Sequence, residues 1–458
     1  MDPRTRALLE APIVPTLLRL ALPNVAVMVF QSAIGLIETF FVAKLGTDAL
    51  AGMALVFPLL MVIQMVSAGA MGGGILSSVA RALGSNRRDD ANVLAWHAVA
   101  IAVALGVLTT AAALAGGPKL YTLMGGRDGS LAAALTYSNL VFAGATALWL
   151  YNSLAAVIRG TGNMLVPASV TVLGALVLLP LSPALIFGLG PLPRLGIAGG
   201  AAAVIAFYVV GSAIFATYLW AGRGVLKPSL RPPALAWAPT REILRVGAAS
   251  SLVSITTNVS IATATGLAGA FGPAAVAGYG TGARLEYLLV PLVFGLGAPL
   301  AAMVGTSVGA GRRDRALRVA WIGAAIAGGL TEAIGLAAAI FPHAWLSLFG
   351  DDPTMNDVGV HYLHVVGPFY GFFGLGLALY FASQGAGRLR WPLLAALLRM
   401  TIATGGGWLA VQMWGLDGLF VALALALAAV GLVTAAAVAS GVWFGRPAPQ
   451  PAGVPQPS

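Results

Sequence analysis

The chain repeats its own sequence pattern at a spacing of about 225 residues. The run Arg159-Gly160-Thr161-Gly162 with Pro167 recurs as Gln384-Gly385-Ala386-Gly387 with Pro392. Other matches at this spacing are Gly84 with Gly309, Arg87-Arg88-Asp89 with Arg312-Arg313-Asp314, Trp96 with Trp321, and Tyr137 with Tyr362. A direct repeat of this length in an apolar chain predicts two similar helical bundles with a shared site between them.

Apolar segments long enough to cross a bilayer dominate both repeats. The chain is 59% hydrophobic and only 9% charged, and its apolar runs repeatedly exceed the roughly 18 residues that indicate a transmembrane helix. The predicted spans are residues 13–41, 47–80, 90–116, 132–158, 164–190, 196–222, 241–269, 274–305, 316–341, 357–383, 391–413 and 416–444. We therefore expect an all-α integral membrane protein with twelve transmembrane helices in two pseudo-symmetric six-helix bundles. Because six is even, the two halves have the same orientation in the membrane.

A proline-rich basic segment, residues 223–240, separates the halves. It predicts an N-terminal bundle over residues 1–222 and a C-terminal bundle over 241–445. Residues 446–458 are rich in Pro, Gln and Ala and are expected to be a disordered tail. The first apolar run is too long for a signal peptide and lacks a clear cleavage site, so we interpret it as a retained helix.

The distribution of positive charge predicts the topology. Of 25 Lys and Arg residues, 19 lie at the termini and in the even loops, and four lie in the odd loops. Such an asymmetry places both termini and the even loops in the cytoplasm of a bacterial inner membrane protein. The net charge of +10 is spread over five loops, which argues against nucleic-acid binding.

Several kinds of chemistry are excluded or disfavoured. Without cysteine the chain has no disulfide, thiol nucleophile or thiolate metal site. The glycines between Gly69 and Gly74 follow no strand and precede no Gly-Lys-Ser/Thr, so they are not a nucleotide loop. Asp357, His361 and His364 can share one helix face, but at a wet helix end they are expected to be solvated rather than to bind metal. Without a nucleotide site, the energy must come from an ion gradient rather than from bound ATP. We expect no metal and no cofactor, with H⁺ or Na⁺ as the coupling ion.

Five ionisable residues fall inside apolar runs: Glu38, Arg284, Glu286, Glu332 and Arg399. Because burying such a group in hydrocarbon is costly, each marks either a functional site or a buried ion pair. Arg284 and Glu286 are two residues apart, do not share a helix face, and are therefore not each other's simple partner. Both alternatives stay open for them, and they are candidate substrate-cavity residues. For Glu332 and Arg399 a structural role is favoured.

Glu38 is the candidate ion-coupling residue. Asn24, Gln31 and Glu38 are spaced by seven residues and form one polar stripe that drifts by only about 20° per heptad. Such a stripe must face a bundle interior or an aqueous cavity, which makes Asn24 and Gln31 candidate cavity residues. An isolated carboxylate in this environment can carry a proton. The alternative is a structural pair.

The equivalent helix of the second half has no carboxylate. At an offset of 226, Gln31 corresponds to Thr257 and Glu38 corresponds to Ala264. A polar but uncharged stripe runs through Asn258, and Thr257 and Asn258 are candidate cavity residues. The two halves are therefore not expected to be functionally equivalent.

Taken together, the motifs resemble those of the multidrug and toxic compound extrusion (MATE) transporters, in the prokaryotic branch. The similar segments are Leu20-Ala21-Leu22-Pro23, Glu38-Thr39, Leu45-Gly46, Ala49-Leu50-Ala51, Ile186-Phe187-Gly188, Gly196-Ile197-Ala198-Gly199, Val308-Gly309-Ala310-Gly311-Arg312, the Gly-x-Gly then Pro pattern of both halves, and Tyr279-Gly280 through Arg284 and Glu286. The resemblance implies a V-shaped pair of bundles that alternates access and exports amphipathic, often cationic compounds against H⁺ or Na⁺.

Glu38 stands where this family usually has an aspartate in its N-terminal cation site. Ser182 replaces the aspartate expected in the fifth helix, and the acidic residues that another branch carries in the seventh and tenth helices are absent. Because Na⁺ normally needs several hard oxygen ligands, the loss of carboxylates favours H⁺ coupling through Glu38.

The leading hypothesis is a secondary active exporter that antiports small organic cations against H⁺, acts as a monomer and binds no nucleic acid. A Na⁺-coupled exporter is one alternative, and a lipid-linked precursor flippase of the same superfamily is another. A membrane enzyme is disfavoured because no clustered nucleophile, base and metal set is present. The major facilitator type shares the topology, but its motif after the second span is only loosely matched by Gly84–Asp89.

Overall fold

The computed structural model describes residues 1–350, 352–441 and 443, and all of their side chains except those of Val29, residues 31–37 and Tyr287. The predicted tail, residues 446–458, and the side chain of Gln31 lie outside the described part. The boundaries drawn above for the two bundles and the linker stay predictions.

The described residues form helices and no strands. Nine helical segments are long and apolar enough to cross a membrane, and the bent pair Asp128–Ala143 and Ala145–Gly160 makes a tenth. One of the nine, Arg390–Ala439, contains two helices because Gly415 has non-helical angles within it (φ 63°, ψ −142°). Counting that segment as two helices brings the number to eleven. The 31-residue helix Ile13–Ala43 is the twelfth long helix among the described residues.

These helices are named α1 to α12. In chain order they are α1 (Ile13–Ala43), α2 (Thr47–Gly84), α3 (Arg88–Leu123), α4 (Asp128–Ala143 and Ala145–Gly160), α5 (Leu165–Phe187), α6 (Ile197–Trp220), α7 (Trp237–Gly269), α8 (Pro273–Gly309), α9 (Arg313–Ile340), α10 (Pro353–Ala386), α11 (residues 390–414) and α12 (residues 416–439). An additional short helix, Pro3–Glu10, precedes α1, and another, Pro342–Leu346, follows α9. These bounds differ by five residues or fewer from the predicted spans, except that α3 continues to Leu123, seven residues beyond its predicted end.

Two of the helices contain a stretch of π-helix. In α2 it covers Met65–Met71, and in α11 it covers Ile402–Gly406. The wider turn of a π-helix interrupts the regular backbone ladder, and such interruptions occur frequently at functional sites. Proline also lies inside α1, α5 and α8, where it removes a backbone hydrogen-bond donor from the helix. In α4 the helix bends by 48° at Gly144, whose missing side chain leaves room for Ile205 of α6.

Each half of the chain packs into one bundle through small residues. Within the first half, α3 packs on α4, α5 on α6 and α2 on α4. Within the second half, α9 and α12 pack on α10, and α11 packs on α7 and α12. A Cβ atom at Gly211 would overlap the Tyr151 ring, and one at Gly374 would overlap the Ala327 backbone. Helices in lipid lack a hydrophobic driving force and associate through such close approaches.

The bundles meet at the end of the molecule that carries Arg81, Glu242 and Arg312, which we call the basic end. There Gly84 of α2 lies against the backbone of Thr306, and Gly309 of α8 lies against the backbone of Arg81. The second half of α2 packs on α7, α8 and α10, whereas its first half, Thr47–Gln64, packs mainly on α4. The bundles are therefore closed against each other at the basic end.

Arg81 reaches across this interface to the other bundle. Its Nη2 lies 2.6 Å from Oε1 of Glu242, and its Nη1 donates a hydrogen bond of 2.7 Å to the carbonyl oxygen of Gly385. Glu242 lies in the second turn of α7 and Gly385 in the last turn of α10, so one side chain of α2 binds two helices of the C-terminal bundle.

The N-terminal helix Pro3–Glu10 is held at the same end. Arg315 donates hydrogen bonds to the carbonyl oxygens of Leu8 (3.0 Å) and Ala11 (2.7 Å), and Arg312 donates one to that of Leu9 (3.0 Å). Leu8 is buried and contacts Gly162 of the N-terminal bundle. The helix therefore contacts both bundles.

Candidate ion-coupling site

The carboxyl group of Glu38 faces the interior of the N-terminal bundle. The phenol of Tyr137, on α4, interacts with this carboxyl group. On the other side, Oε1 of Glu38 lies 3.4 Å from the position that a Cβ atom would occupy at Gly200 of α6. Oε1 is buried and has no hydrogen-bond partner among the described residues. The site therefore contains a buried carboxylate oxygen with an unused hydrogen-bonding capacity, as a proton-accepting group requires.

Polar side chains extend from this site towards the π-helix of α2. Tyr208 of α6 interacts electrostatically with Glu38, and its hydroxyl donates a hydrogen bond of 3.4 Å to Oε1 of Gln64. Nδ2 of Asn152 donates to the same oxygen (3.4 Å) and to Oγ of Ser67 (2.8 Å). Gln64 is the last residue before the π-helix, and Ser67 lies within it. A polar network therefore connects α1, α4 and α6 with the irregular part of α2.

Of the two other stripe residues, Asn24 is described in full. Its side chain is 8% exposed and its Nδ2 is buried without a hydrogen-bond partner among the described residues. The neighbouring Val25 packs against Gly295 of α8, so this part of α1 lies at the contact between the bundles. The burial of Asn24 agrees with an inward-facing stripe, but its role as a cavity residue stays a prediction.

Thr257 and Asn258 of α7 bind their own helix. Oγ1 of Thr257 donates to the carbonyl oxygen of Val253 (3.0 Å), and Nδ2 of Asn258 donates to that of Ser254 (2.9 Å). Asn258 is exposed and Thr257 is half-buried. To bind a ligand, these side chains would first have to break their hydrogen bonds to the backbone carbonyl oxygens of α7.

Arg284 and Glu286 of α8 point in different directions and do not pair with each other. The exposed guanidinium group of Arg284 lies over the ring of Phe349, 5.3 Å from its centroid. The carboxylate of Glu286 pairs instead with Arg399 of α11, at 3.2 Å between Oε1 and Nη2. These two side chains are only 16% and 13% exposed, so the pair is largely buried.

The remaining candidates have structural partners. Oε2 of Glu332 accepts a hydrogen bond of 2.6 Å from the backbone N–H of Gly371. His361 approaches Asp417 of α12, at 3.0 Å between Nε2 and Oδ1. Over the described residues, no three His, Cys, Asp or Glu side chains are grouped as a metal site requires. His97 is fully buried, and its Nε2 accepts a hydrogen bond of 3.1 Å from the N–H of Ala236 in the segment before α7.

Sequence reasoning missed Tyr137, Tyr208, Gln64 and Asn152 as members of the site. Tyr137 had a visible signal, because it lies in an apolar span and recurs as Tyr362 at the repeat spacing. The other three carry no regular spacing relative to Glu38, and only the packing of α2, α4 and α6 brings them together.

Comparison with protein families agrees with this organisation. The MatE family profile matches residues 23–184 and 249–409, one segment in each half of the chain. The chain belongs to the MatE family. Its members are transporters rather than enzymes, so this is a multi-pass membrane transporter, as the motifs predicted.

Two bacterial relatives align over most of the MatE chain. One, described as "FAD transporter", comes from Shewanella oneidensis, is 28% identical over 376 residues, and is matched over 82% of each chain. The other, "Probable multidrug resistance protein NorM" of Thermotoga maritima, is 26% identical, over 84% of this chain and 83% of the relative. These relatives support small organic molecules as the class of transported compound.

Solved structures show the same fold. "Crystal structure of MATE in the bent conformation" superposes with a TM-score of 0.88 at 23% identity, over 96% of this chain and 98% of the other. "Outward-facing conformation of a multidrug resistance MATE family transporter of the MOP superfamily" gives 0.85 at 23% identity, over 96% and 99%. The predicted fold of twelve helices in two bundles is confirmed.

Proposed function

We propose that this MatE protein is a proton-coupled exporter of organic cations in the bacterial plasma membrane, with the basic end in the cytoplasm. The observation that carries the proposal is the carboxyl group of Glu38, which lies inside the N-terminal bundle with Oε1 buried and unpartnered. No positively charged residue pairs with it among the described residues.

An unpaired carboxylate in a membrane interior links charge to conformation. When ionised, Glu38 carries a negative charge that attracts a cation into the cleft between the bundles and is costly to bury further. Protonation removes that charge, weakens cation binding and allows α1 to pack more closely against α4 and α6. Because the bundles are closed at the basic end, a cation released in this state leaves through the opposite side. In each cycle a proton on Glu38 is exchanged against an exported cation, and a single chain is sufficient for this exchange.

Export of FAD is a second candidate function. It is favoured by the FAD transporter of Shewanella oneidensis among the relatives and by Arg284, whose exposed guanidinium beside Phe349 offers a charge for an anionic group and an aromatic surface. FAD carries a diphosphate and a planar ring system, which Arg and aromatic side chains recognise.

The test is transport by the purified protein in liposomes under an imposed pH gradient and, separately, an imposed Na⁺ gradient. Ethidium is the cationic probe and FAD is the anionic one. We expect the pH gradient to drive ethidium efflux in the wild type and Glu38→Gln to abolish it. Glu332→Gln is the matched control, because it also neutralises a carboxylate within the membrane but one with a backbone partner, and it should retain efflux.

The other possible outcomes would refute the role of Glu38 or favour one of the alternative functions. Normal transport by Glu38→Gln would refute the role of Glu38. Efflux driven only by the Na⁺ gradient would refute proton coupling and favour the Na⁺-coupled alternative. Movement of FAD but not ethidium would favour the second candidate, and movement of neither would favour a lipid-linked substrate.

A further inference from the structure

The C-terminal bundle contains a small cavity at the place that corresponds to the Glu38 site. Ala264 of α7, which the repeat aligns with Glu38, and Tyr362 of α10, which it aligns with Tyr137, both line this cavity. Glu286 and Arg399 line it too. The carboxylate that α7 lacks is therefore supplied to the same place by α8.

The two sites share a carboxylate beside a buried tyrosine. Tyr362 is 2% exposed and interacts electrostatically with Glu286, as Tyr137 does with Glu38. They differ in one respect: Glu286 has a cationic partner, Arg399, and Glu38 has none among the described residues. The cavity volume of about 30 Å³ is sufficient to hold one water molecule.

We propose that Glu286 and Arg399 form a second proton-binding site of the transporter, in the C-terminal bundle. The proposal rests on the proposed function, since it assumes that protons drive the cycle. In the conformation described, the two side chains form an ion pair, with 3.2 Å between Nη2 of Arg399 and Oε1 of Glu286. A proton on Glu286 would leave the Arg399 cation without its partner in a largely buried position, which is strongly unfavourable. Protonation and opening of the cavity to water must therefore occur together.

The helix that carries Arg399 contains an irregular turn at which such a movement can occur. The π-helix Ile402–Gly406 begins three residues after Arg399, and Ala403 within it lines the cavity. Gly405 has no neighbouring atoms within 4 Å of a Cβ position. A shift between π- and α-helical turns in this segment would move Arg399 relative to α8 without displacing closely packed side chains.

The titratable and charged groups around Glu286 come from three helices. They are Tyr279 of α8, Tyr362 of α10 and Arg399 of α11, and Tyr370 of α10 interacts in turn with Tyr362. In the part of the chain that the structure describes, α7 and α12 contribute no titratable side chain to the cavity. Glu286 is the one carboxyl group among these side chains, so a proton that enters the cavity is expected to bind to it.

The test is an infrared pH titration of the protein in liposomes. The signal is the C=O stretching band of protonated carboxyl groups that are buried from water. It needs neither a gradient nor a substrate, so it can fail or succeed independently of the transport test. In a Glu38→Gln background we expect a pH-dependent band to remain. Adding Glu286→Gln together with Arg399→Gln, which keeps the cavity neutral, should remove that band. Adding Glu332→Gln instead should leave it unchanged.

A folded Glu286→Gln/Arg399→Gln protein with the same band would overturn the proposal, because the pair would then be only structural. If that protein does not fold, Glu286→Asp keeps both the carboxyl group and its charge but moves the group relative to Arg399. The midpoint of the band should then shift, and an unchanged midpoint would refute the proposal. In ethidium transport, the neutral double variant should take up about half as many protons per exported molecule as the wild type.

Discussion

Loss of the Arg81 side chain should open the basic end of the transporter. Arg81 makes a charge-assisted hydrogen bond of 2.7 Å to the carbonyl oxygen of Gly385, which is worth about 1.5–3 kcal/mol. Its ion pair with Glu242 adds at most about 1 kcal/mol, because the Glu242 side chain is 51% exposed and solvent screens it. Neither contact can persist when the bundles separate at this end. Arg81→Ala should therefore remove about 2–3 kcal/mol from the closed state, a change of roughly 25- to 150-fold in the ratio of closed to open molecules.

The assay is the distance between two spin labels at the basic end, measured by pulsed electron paramagnetic resonance. The chain contains no cysteine, so Asp89→Cys and Asp314→Cys introduce one label in each bundle, at exposed positions at the start of α3 and α9. Arg81→Ala should add a population with a longer distance.

The matched control is Arg87→Ala, which removes an arginine from the same end. Arg87 pairs with Asp90 of its own bundle at 3.0 Å, and both side chains are exposed, so this change should leave the distance unaltered. A distance distribution that is the same in Arg81→Ala as in the parent would refute the reasoning, and so would an equal change in both variants.

Three further outcomes follow from the packing. Gly309→Leu should lower the unfolding temperature markedly, because its side chain would overlap the backbone of α2, whereas Gly116→Leu, with open space around it, should have little effect in the same thermal scan. Arg315→Ala removes two hydrogen bonds to the N-terminal helix, so a cysteine placed at Thr5, which is 3% exposed, should react several-fold faster with a maleimide than in the parent. Glu332→Ala should destabilise by about 1–3 kcal/mol, since it removes the hydrogen bond between the carboxylate and a part-buried backbone N–H, and an unchanged unfolding temperature would contradict that assignment.

The positions of the helices could be predicted from the sequence because each depends on local information. A membrane span needs a run of apolar residues of a certain length, and breakers such as Gly415 mark where it ends. All predicted ends but one therefore lie within five residues of the observed helix ends, the exception being the end of α3 at Leu123. The inward direction of Glu38 was also predictable, since a heptad stripe on one helix requires no knowledge of its neighbours. The same applies to Arg284 and Glu286, which two-residue spacing places on different faces.

The partners of those residues depended on tertiary structure. Glu286 pairs with Arg399, 113 residues later, and Arg81 with Glu242, 161 residues later, and no periodicity connects such distant positions. The repeat predicted that the second half lacks the carboxylate of the first, because it aligns Glu38 with Ala264. Only the packing of α8 beside α7 returns a carboxylate to that place. A sequence specifies which groups must be removed from water, whereas the packing of separate helices decides which of them meet.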